Sequence, residues 1–261
     1  MGNRASDCAT PAPTELAKEG ALRRKRPLSS AALIEAALGS SSASHPYHGA
    51  VPADLLHLVR HGEVFNPTGV LYGRIPGFHL SDLGHKMAAS AAKAFTGRPV
   101  TALYASPLQR AQESAQPWSE SFGLPIVTED RIIEPTNKFE GTKVQFPRLL
   151  LQPKIWTWVY NPLRPSWGEA YKSIAARMDA AMKDAWNAAD GGEVVMVSHQ
   201  LPIWMATRAA AGESLFHDAR KRRCSLSSIT SFQLVDGAFT EVAYQDPTEG
   251  LLASSVDLGA V

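Results

Sequence analysis

Apolar runs of strand length occur at residues 55–59, 100–105 and 193–197, with a shorter one at 126–128. Short apolar runs bounded by turn residues predict strands. Between them the apolar spacing is helical. Leu83, Met87, Ala91 and Ala94 mark a helix over residues 81–95, with Ser81 as its cap. Ser106-Pro107 predicts a second helix over 107–122, because a cap residue followed by proline at the first helical position is a strong start. Pro117 is expected to kink or divide it. Ile174, Met178, Ala181 and Trp186 mark a third helix over 169–187, ended by Asp190-Gly191-Gly192. A fourth follows His199, with Pro202 in its first turn. Residues 225–235 and 239–244 read as a hairpin around Asp236-Gly237. This order predicts an α/β fold: a three-layer, mostly parallel doubly wound sheet, with helices on both faces and an antiparallel edge.

The pattern fails in two places. Residues 132–167 are irregular and dense in aromatics: Phe139, Phe146, Trp156, Trp158, Tyr160 and Trp167. These either complete the core or line a pocket, where Trp and Tyr keep a polar handle. Residues 1–53 are rich in Ala, Ser and Pro and carry Arg23-Arg24-Lys25-Arg26. They predict a mostly disordered extension before a folded domain spanning 54–261, with a short helix at 30–38 and a flexible linker at 40–44. The paired arginines resemble an export signal, but Pro27 and Glu35 interrupt it. Met1-Gly2 with Ser6 matches an N-myristoylation pattern, with Cys8 as a second acylation site. A soluble basic tail is the plainer expectation.

Composition changes this picture little. Of the 261 residues, 44% are hydrophobic and 20% charged, and 26 basic residues stand against 25 acidic ones for a net charge of +1. Bulk charge gives no reason to expect a nucleic-acid partner, and no apolar run is long enough to predict a membrane span. Two distant cysteines, Cys8 and Cys224, point to a reducing, cytoplasmic compartment without a structural disulfide.

The candidate chemistry lies where the strands end. Arg60 and His61 follow the first strand, and His199 follows the strand at 193–197. Arg110 stands near the start of the helix after Ser106-Pro107. In a doubly wound sheet such strand ends converge on one crevice. Two arginines and two histidines there make an anion site, since the arginine fork holds two oxygens of a phosphate at once. A histidine in that site is positioned to attack phosphorus, and the surrounding charge stabilises the group in transfer. The leaving oxygen then needs a proton, and Glu134, just past the third strand, is the candidate general acid. Three charged or aromatic-adjacent features receive plainer readings. His57, inside the first strand, is expected to be a packing or edge residue. Arg110 alone would pass for a surface helix residue. Arg220-Lys221-Arg222-Arg223 is expected to be a solvated face, with attraction of an anionic substrate as the lesser reading.

Leu58-Val59-Arg60-His61-Gly62-Glu63, with Asn66 following, resembles the N-terminal signature of the histidine phosphatase superfamily, in its phosphoglycerate mutase-like branch. Tyr72-Gly73-Arg74, Leu80-Ser81-Asp82-Leu83-Gly84, Tyr104-Ala105-Ser106-Pro107-Leu108-Gln109-Arg110-Ala111, Trp167-Gly168-Glu169 and Val195-Met196-Val197-Ser198-His199 resemble later family segments in the family's order. The likeness covers roughly residues 55–235, and in one segment Ala170 stands where the family has serine. Several ordered matches in the right structural context are far more specific than a lone Arg-His-Gly.

The resemblance implies that His61 accepts the phosphoryl group, and that Arg60, Arg110 and His199 complete the phosphate pocket. It puts Asn66 and Arg74 at the rim and makes Glu134 the proton donor. The family usually has glycine soon after this acid, in a segment ending Trp-Glu-Gly. Here Pro135 follows it, and Phe139-Glu140-Gly141 fits the segment's end, leaving Glu140 as the fallback acid. No cofactor and no metal are implied. Mutases of the family carry a longer insertion between the acid and the Gly-Glu helix. The short, aromatic stretch from Glu134 to Gly168, with Lys138, Lys143, Arg148, Lys154 and Arg164 scattered along it, favours a phosphatase on a small phosphomonoester. A 2,3-bisphosphoglycerate-dependent phosphoglycerate mutase is the alternative. A non-catalytic phosphate-binding module is the alternative of another class.

Overall fold

The structure is a computed structural model that describes residues 51–143, 168–253 and 255–257. The expected extension, its helix at 30–38 and its linker at 40–44 lie outside the described residues. So do Phe146, Trp156, Trp158, Tyr160 and Trp167 of the aromatic stretch.

The chain folds in the order β1 (Leu55–Arg60), α1 (Asp82–Lys93), β2 (Val100–Ala105), α2 (Gln109–Phe122), β3 (Ile126–Thr128), α3 (Tyr171–Ala188), β4 (Glu193–Ser198), α4 (Gln200–Ala210), β5 (Ile229–Val235), β6 (Ala238–Gln245) and α5 (Glu249–Leu252). One six-stranded sheet has the order β3-β2-β4-β1-β5-β6. The four strands from β3 to β1 are parallel, and β5 and β6 add an antiparallel edge. The central strands β1 and β4 are buried along their whole length, which is why they read as near-continuous apolar runs.

Their side chains alternate between two cores. Leu56, Leu58, Val194 and Met196 pack against Ile174, Met178 and Met182 of α3 and Leu201 and Met205 of α4. Val59, Val195 and Val197 face the other way, onto Ala91 and Ala92 of α1 and Ala111, Ala115 and Trp118 of α2. These are the three layers expected. His57 is no edge residue. It sits in a central strand, fully buried, with Nδ1 2.8 Å from the Ser231 hydroxyl and Nε2 3.2 Å from the Glu193 carboxylate. Arg98 closes that group with two 2.7 Å bonds to Glu193.

Three features differ from expectation, and two of them bear on the site. Ser81 caps α1 as predicted, accepting from the Gly84 N–H at 3.0 Å. Ser106, however, does not cap α2. That helix starts at Gln109 with Leu108 at its cap position and no side-chain cap bond, because the Ser106 hydroxyl is engaged 2.7 Å from His199 Nε2. Pro117 does not divide α2, which runs on to a left-handed cap at Gly123 (φ 66°). One missing N–H bond is small beside the burial of Ala111, Ala115 and Trp118 on that helix. Finally, β5 begins at Ile229 rather than at 225. The Ser228 carbonyl accepts from the Arg60 N–H at 3.1 Å, and the Ser227 N–H donates to the His61 carbonyl at 3.3 Å. These serines are therefore a brace for the end of β1. The Asp236-Gly237 turn has φ of 50° and 79°, the paired positive values of a tight hairpin turn.

Candidate active site

Sheet register brings the candidate residues together. Arg60 of β1 lies opposite Ser198 of β4, so His61 and His199, each one residue further on, emerge side by side. Their ring centroids are 5.2 Å apart. Ala105 of β2 lies opposite Val197, which delivers Ser106 to His199. All three strands end at the same point, where parallel sheets place ligands.

The His61 ring is held in one tautomer. Its Nδ1 is 2.7 Å from the Gly62 carbonyl, which only accepts, so Nδ1 carries the proton and Nε2 keeps its lone pair. Burial first, then the Arg110 and Arg60 charges, hold its pKa well below the ordinary histidine value, while the Gly62 bond opposes them weakly. His199 is likewise held neutral by burial and by Arg110.

Arg60 is almost wholly buried. It donates from Nη1 to the Cys224 carbonyl at 2.7 Å, and its two terminal nitrogens hold the Asp257 carboxylate in a bidentate pair at 2.6 and 2.7 Å. Burial disfavours its charge, but Asp257 outweighs burial and the net shift is upward. Arg110 donates from Nη2 to the Gly73 carbonyl at 2.8 Å, and its guanidinium lies over the Tyr72 ring at 4.8 Å. It is therefore a buried site residue rather than a surface one. Burial pushes the Tyr72 hydroxyl up to about 12.

Glu134 is buried with one carboxylate oxygen 3.9 Å from His199 Nδ1, a nitrogen without a hydrogen-bond partner among the described residues. Burial raises its pKa, against the pull of Arg110, Arg222, Arg60 and Arg177. The fallback acid is differently engaged. Glu140 Oε1 accepts from the backbone N–H groups of Arg74 and Asn137 at 3.1 and 3.2 Å, and so closes a loop. Arg74 reaches the site's edge, donating to the Glu134 carbonyl at 2.5 Å and standing 3.9 Å from Glu169. Asn66 does not join the cluster. Its amide bonds Val70 and Thr68 within its own loop.

Sequence reasoning missed two residues. Asp257 is 197 positions from Arg60 in a tail with no hydrophobic pattern to place it. Arg222 was grouped with a solvated run. Arg220 is exposed (89% for its side chain), as are Lys221 and Arg223, but Arg222 turns inward. Its Nε donates to His217 Nε2 at 2.9 Å and its Nη1 to Gln200 Oε1 at 3.3 Å. Among the described residues no group of three or more His, Cys, Asp or Glu is arranged to hold a metal ion, and no helix is long and apolar enough to cross a membrane.

A family model for the histidine phosphatase superfamily (branch 1) matches residues 56–247, the span that carries the whole cluster except Asp257. The chain belongs to the histidine phosphatase superfamily. Among its relatives is protein Rv0525 of Mycobacterium tuberculosis, 47% identical over 193 residues that cover 74% of this chain and 96% of that one. A 2,3-bisphosphoglycerate-dependent phosphoglycerate mutase of Thermoplasma acidophilum is 37% identical over only 78 residues, covering 30% and 39%. Solved structures with the same fold include mycobacterial glucosyl-3-phosphoglycerate phosphatase (TM-score 0.58, 21% identity, 73% and 95% covered). Another is a phosphoserine phosphatase mutant of Entamoeba histolytica in complex with phosphoserine (TM-score 0.61, 20% identity, 74% and 97% covered). Within this superfamily fold, the bonds from Gly62, Ser106 and Cys224 to His61, His199 and Arg60 are what orient the cluster in this chain.

Proposed function

We propose that the protein is a phosphatase that hydrolyses a small phosphomonoester through a phosphohistidine intermediate, without a metal. The observation that carries this reading is the 2.7 Å contact between His61 Nδ1 and the Gly62 carbonyl, which leaves an uncharged Nε2 lone pair beside the Arg110 and Arg60 charges.

In this reading Nε2 attacks phosphorus and the ester P–O bond breaks. Arg60, Arg110 and His199 stabilise the charge on the transferring group. Glu134, whose pKa burial raises, gives its proton to the leaving alcohol. As a carboxylate it then takes a proton from water, which attacks the phosphohistidine, breaks the P–N bond and releases phosphate. Arg74 lines the rim. Asn66 holds its loop and is given no direct part. The Asp257 carboxylate on Arg60 has to yield to an incoming phosphoryl group, or share the guanidinium with it.

The test is turnover of p-nitrophenyl phosphate by the full chain in the presence of a chelator. Turnover is expected, and His61→Ala is expected to abolish it. Turnover retained by His61→Ala would overturn the nucleophile. A second reading, phosphoglycerate mutase, is favoured by the partial match to the Thermoplasma enzyme. Conversion of 3-phosphoglycerate to its isomer with 2,3-bisphosphoglycerate present, faster than release of phosphate, would select it.

A further inference from the structure

Most described arginines pair with a carboxylate: Arg60 with Asp257, Arg74 and Arg177 with Glu169, Arg98 with Glu193, and the remainder with nearby acids. Among the described residues only Arg110 and Arg222 form no such pair. Arg110 belongs to the phosphoryl pocket. Arg222 stands apart from it, and nothing in the proposed reaction uses it.

Arg222 is nevertheless built into position. His217 Nδ1 is 2.9 Å from the Leu215 carbonyl, so the proton sits there and Nε2 accepts from Arg222 Nε at 2.9 Å. The His217 ring is packed between Tyr171 and Trp204, with centroids 5.4 and 6.2 Å away. Arg222 Nη1 donates to Gln200 Oε1, and Gln200 Nε2 donates at 3.4 Å to the Cys224 carbonyl. Arg60 donates to that same carbonyl. One carbonyl and one glutamine side chain thus separate the Arg222 and Arg60 guanidiniums. Both partners of Arg222 are neutral, and its Nη2 donors are unspent among the described residues. Glu134 is the carboxylate whose charge reaches it most strongly, without forming an ion pair. A half-buried guanidinium without a carboxylate partner among the described residues carries a desolvation cost that a ligand anion would relieve. The stretch at 144–167, outside the described residues, contains no Asp or Glu.

We propose that Arg222 is a specificity-determining residue: with Gln200 it forms an anion subsite beside the phosphoryl pocket, and the substrate is a phosphomonoester that also carries a carboxylate. The Nη2 donors left on a guanidinium held by two neutral partners match a singly charged carboxylate. This rests on the phosphatase reading of the neighbouring pocket and deepens it.

The decisive comparison uses 3-phosphoglycerate and glycerol 3-phosphate, which share a carbon skeleton and differ in carboxylate against hydroxymethyl. Their dissociation constants are measured by calorimetry on the full chain carrying His61→Ala, which prevents turnover, with and without Arg222→Gln. The first protein is expected to prefer 3-phosphoglycerate by roughly 10- to 100-fold, the range of a charge-assisted pair. Arg222→Gln is expected to bring that ratio close to one, and Arg222→Lys to restore part of it. No preference at the outset, a preference that survives Arg222→Gln, or equal weakening of both ligands would each overturn the subsite. If Arg222→Gln fails to fold, Gln200→Glu sets a carboxylate against Arg222 and must erase the preference in its place. Turnover of p-nitrophenyl phosphate by the unaltered chain reads the phosphatase assignment separately. Selective binding without turnover keeps the subsite and removes the phosphatase; turnover without selectivity does the reverse.

Discussion

Two glutamates compete for the role of acid, Glu134 buried and Glu140 half-buried, and their surroundings separate them. Glu140 spends Oε1 on two backbone N–H groups, which ties its carboxylate to the loop it closes. Among the described residues Glu134 has no such donors. Burial raises its pKa, and one oxygen faces an unpartnered nitrogen of His199. Glu134→Gln is therefore expected to slow release of alcohols that leave poorly, such as serine from phosphoserine, by roughly 100-fold or more. The p-nitrophenolate of the chromogenic substrate needs little protonation, and its release should fall far less. Glu140→Gln should loosen the 73–74 loop without changing the dependence on leaving group. A steeper leaving-group dependence in Glu140→Gln than in Glu134→Gln would reverse the assignment. The sign for pH follows from the same shift: the donor is lost as pH rises through a raised Glu134 pKa. Phosphoserine turnover should then fall at a higher pH than an ordinary glutamate would allow.

At the scale of elements, what the sequence made legible was whatever a strand or helix states in its own pattern. β1 and β4 are unbroken apolar runs because both faces are covered, and each ends one residue before a histidine. The crevice followed from those two facts. The illegible parts are contacts made across the chain by residues without periodicity. Ser106 carries a perfect local signal for a helix cap, yet its hydroxyl goes to His199, since satisfying a buried imidazole outweighs one exposed cap bond. Arg222 differs from Arg220 and Arg223 only in which way the loop turns, and no run of four basic residues reveals that. The turn from β1 into α1 shows how tightly the elements are joined. A Cβ on Gly84 would lie well inside contact distance of the Glu63 carbonyl, and one on Gly62 would strike the Gly84 carbonyl. Gly84→Ala is thus expected to destabilise the fold by about 1–3 kcal/mol through overpacking against backbone. For a domain of this size that lowers Tm by several degrees, and displacement of Gly62 should reduce turnover as well. Gly250→Ala, where a Cβ meets nothing, serves as the control in the same melting experiment. Equal Tm values for the two variants would refute the tight-approach account.

For the molecule as a whole, the chemistry at the sheet's end and the brace inside it share one vulnerability. His57, His61 and His199 are all fully or nearly fully buried, and burial is the leading cause that lowers each pKa. For His57 the Glu193 carboxylate opposes that shift without cancelling it, and Arg98 adds to it. In the unfolded chain the same side chains take up protons near the ordinary value of about 6.5. Between that value and their lowered folded values the unfolded state binds more protons, so stability falls as pH falls. Each histidine contributes a slope of up to about 1.4 kcal/mol per pH unit in that window, and the three together up to about 4. Glu134 works the other way once pH drops below its raised pKa, because there the folded state binds the extra proton. The lowered carboxylates of Glu129, Glu169 and Glu193 add to the loss only in the more acidic range of their ordinary ionisation. The histidines accordingly govern the first part of the descent. Urea denaturation at fixed temperature is expected to show constant stability from pH 8 to about 7 and a steep decline beginning near the ordinary histidine value of about 6.5. A flat profile down to pH 5 would mean that these imidazoles are charged in the folded protein. It would then remove the neutral Nε2 on which attack by His61 depends.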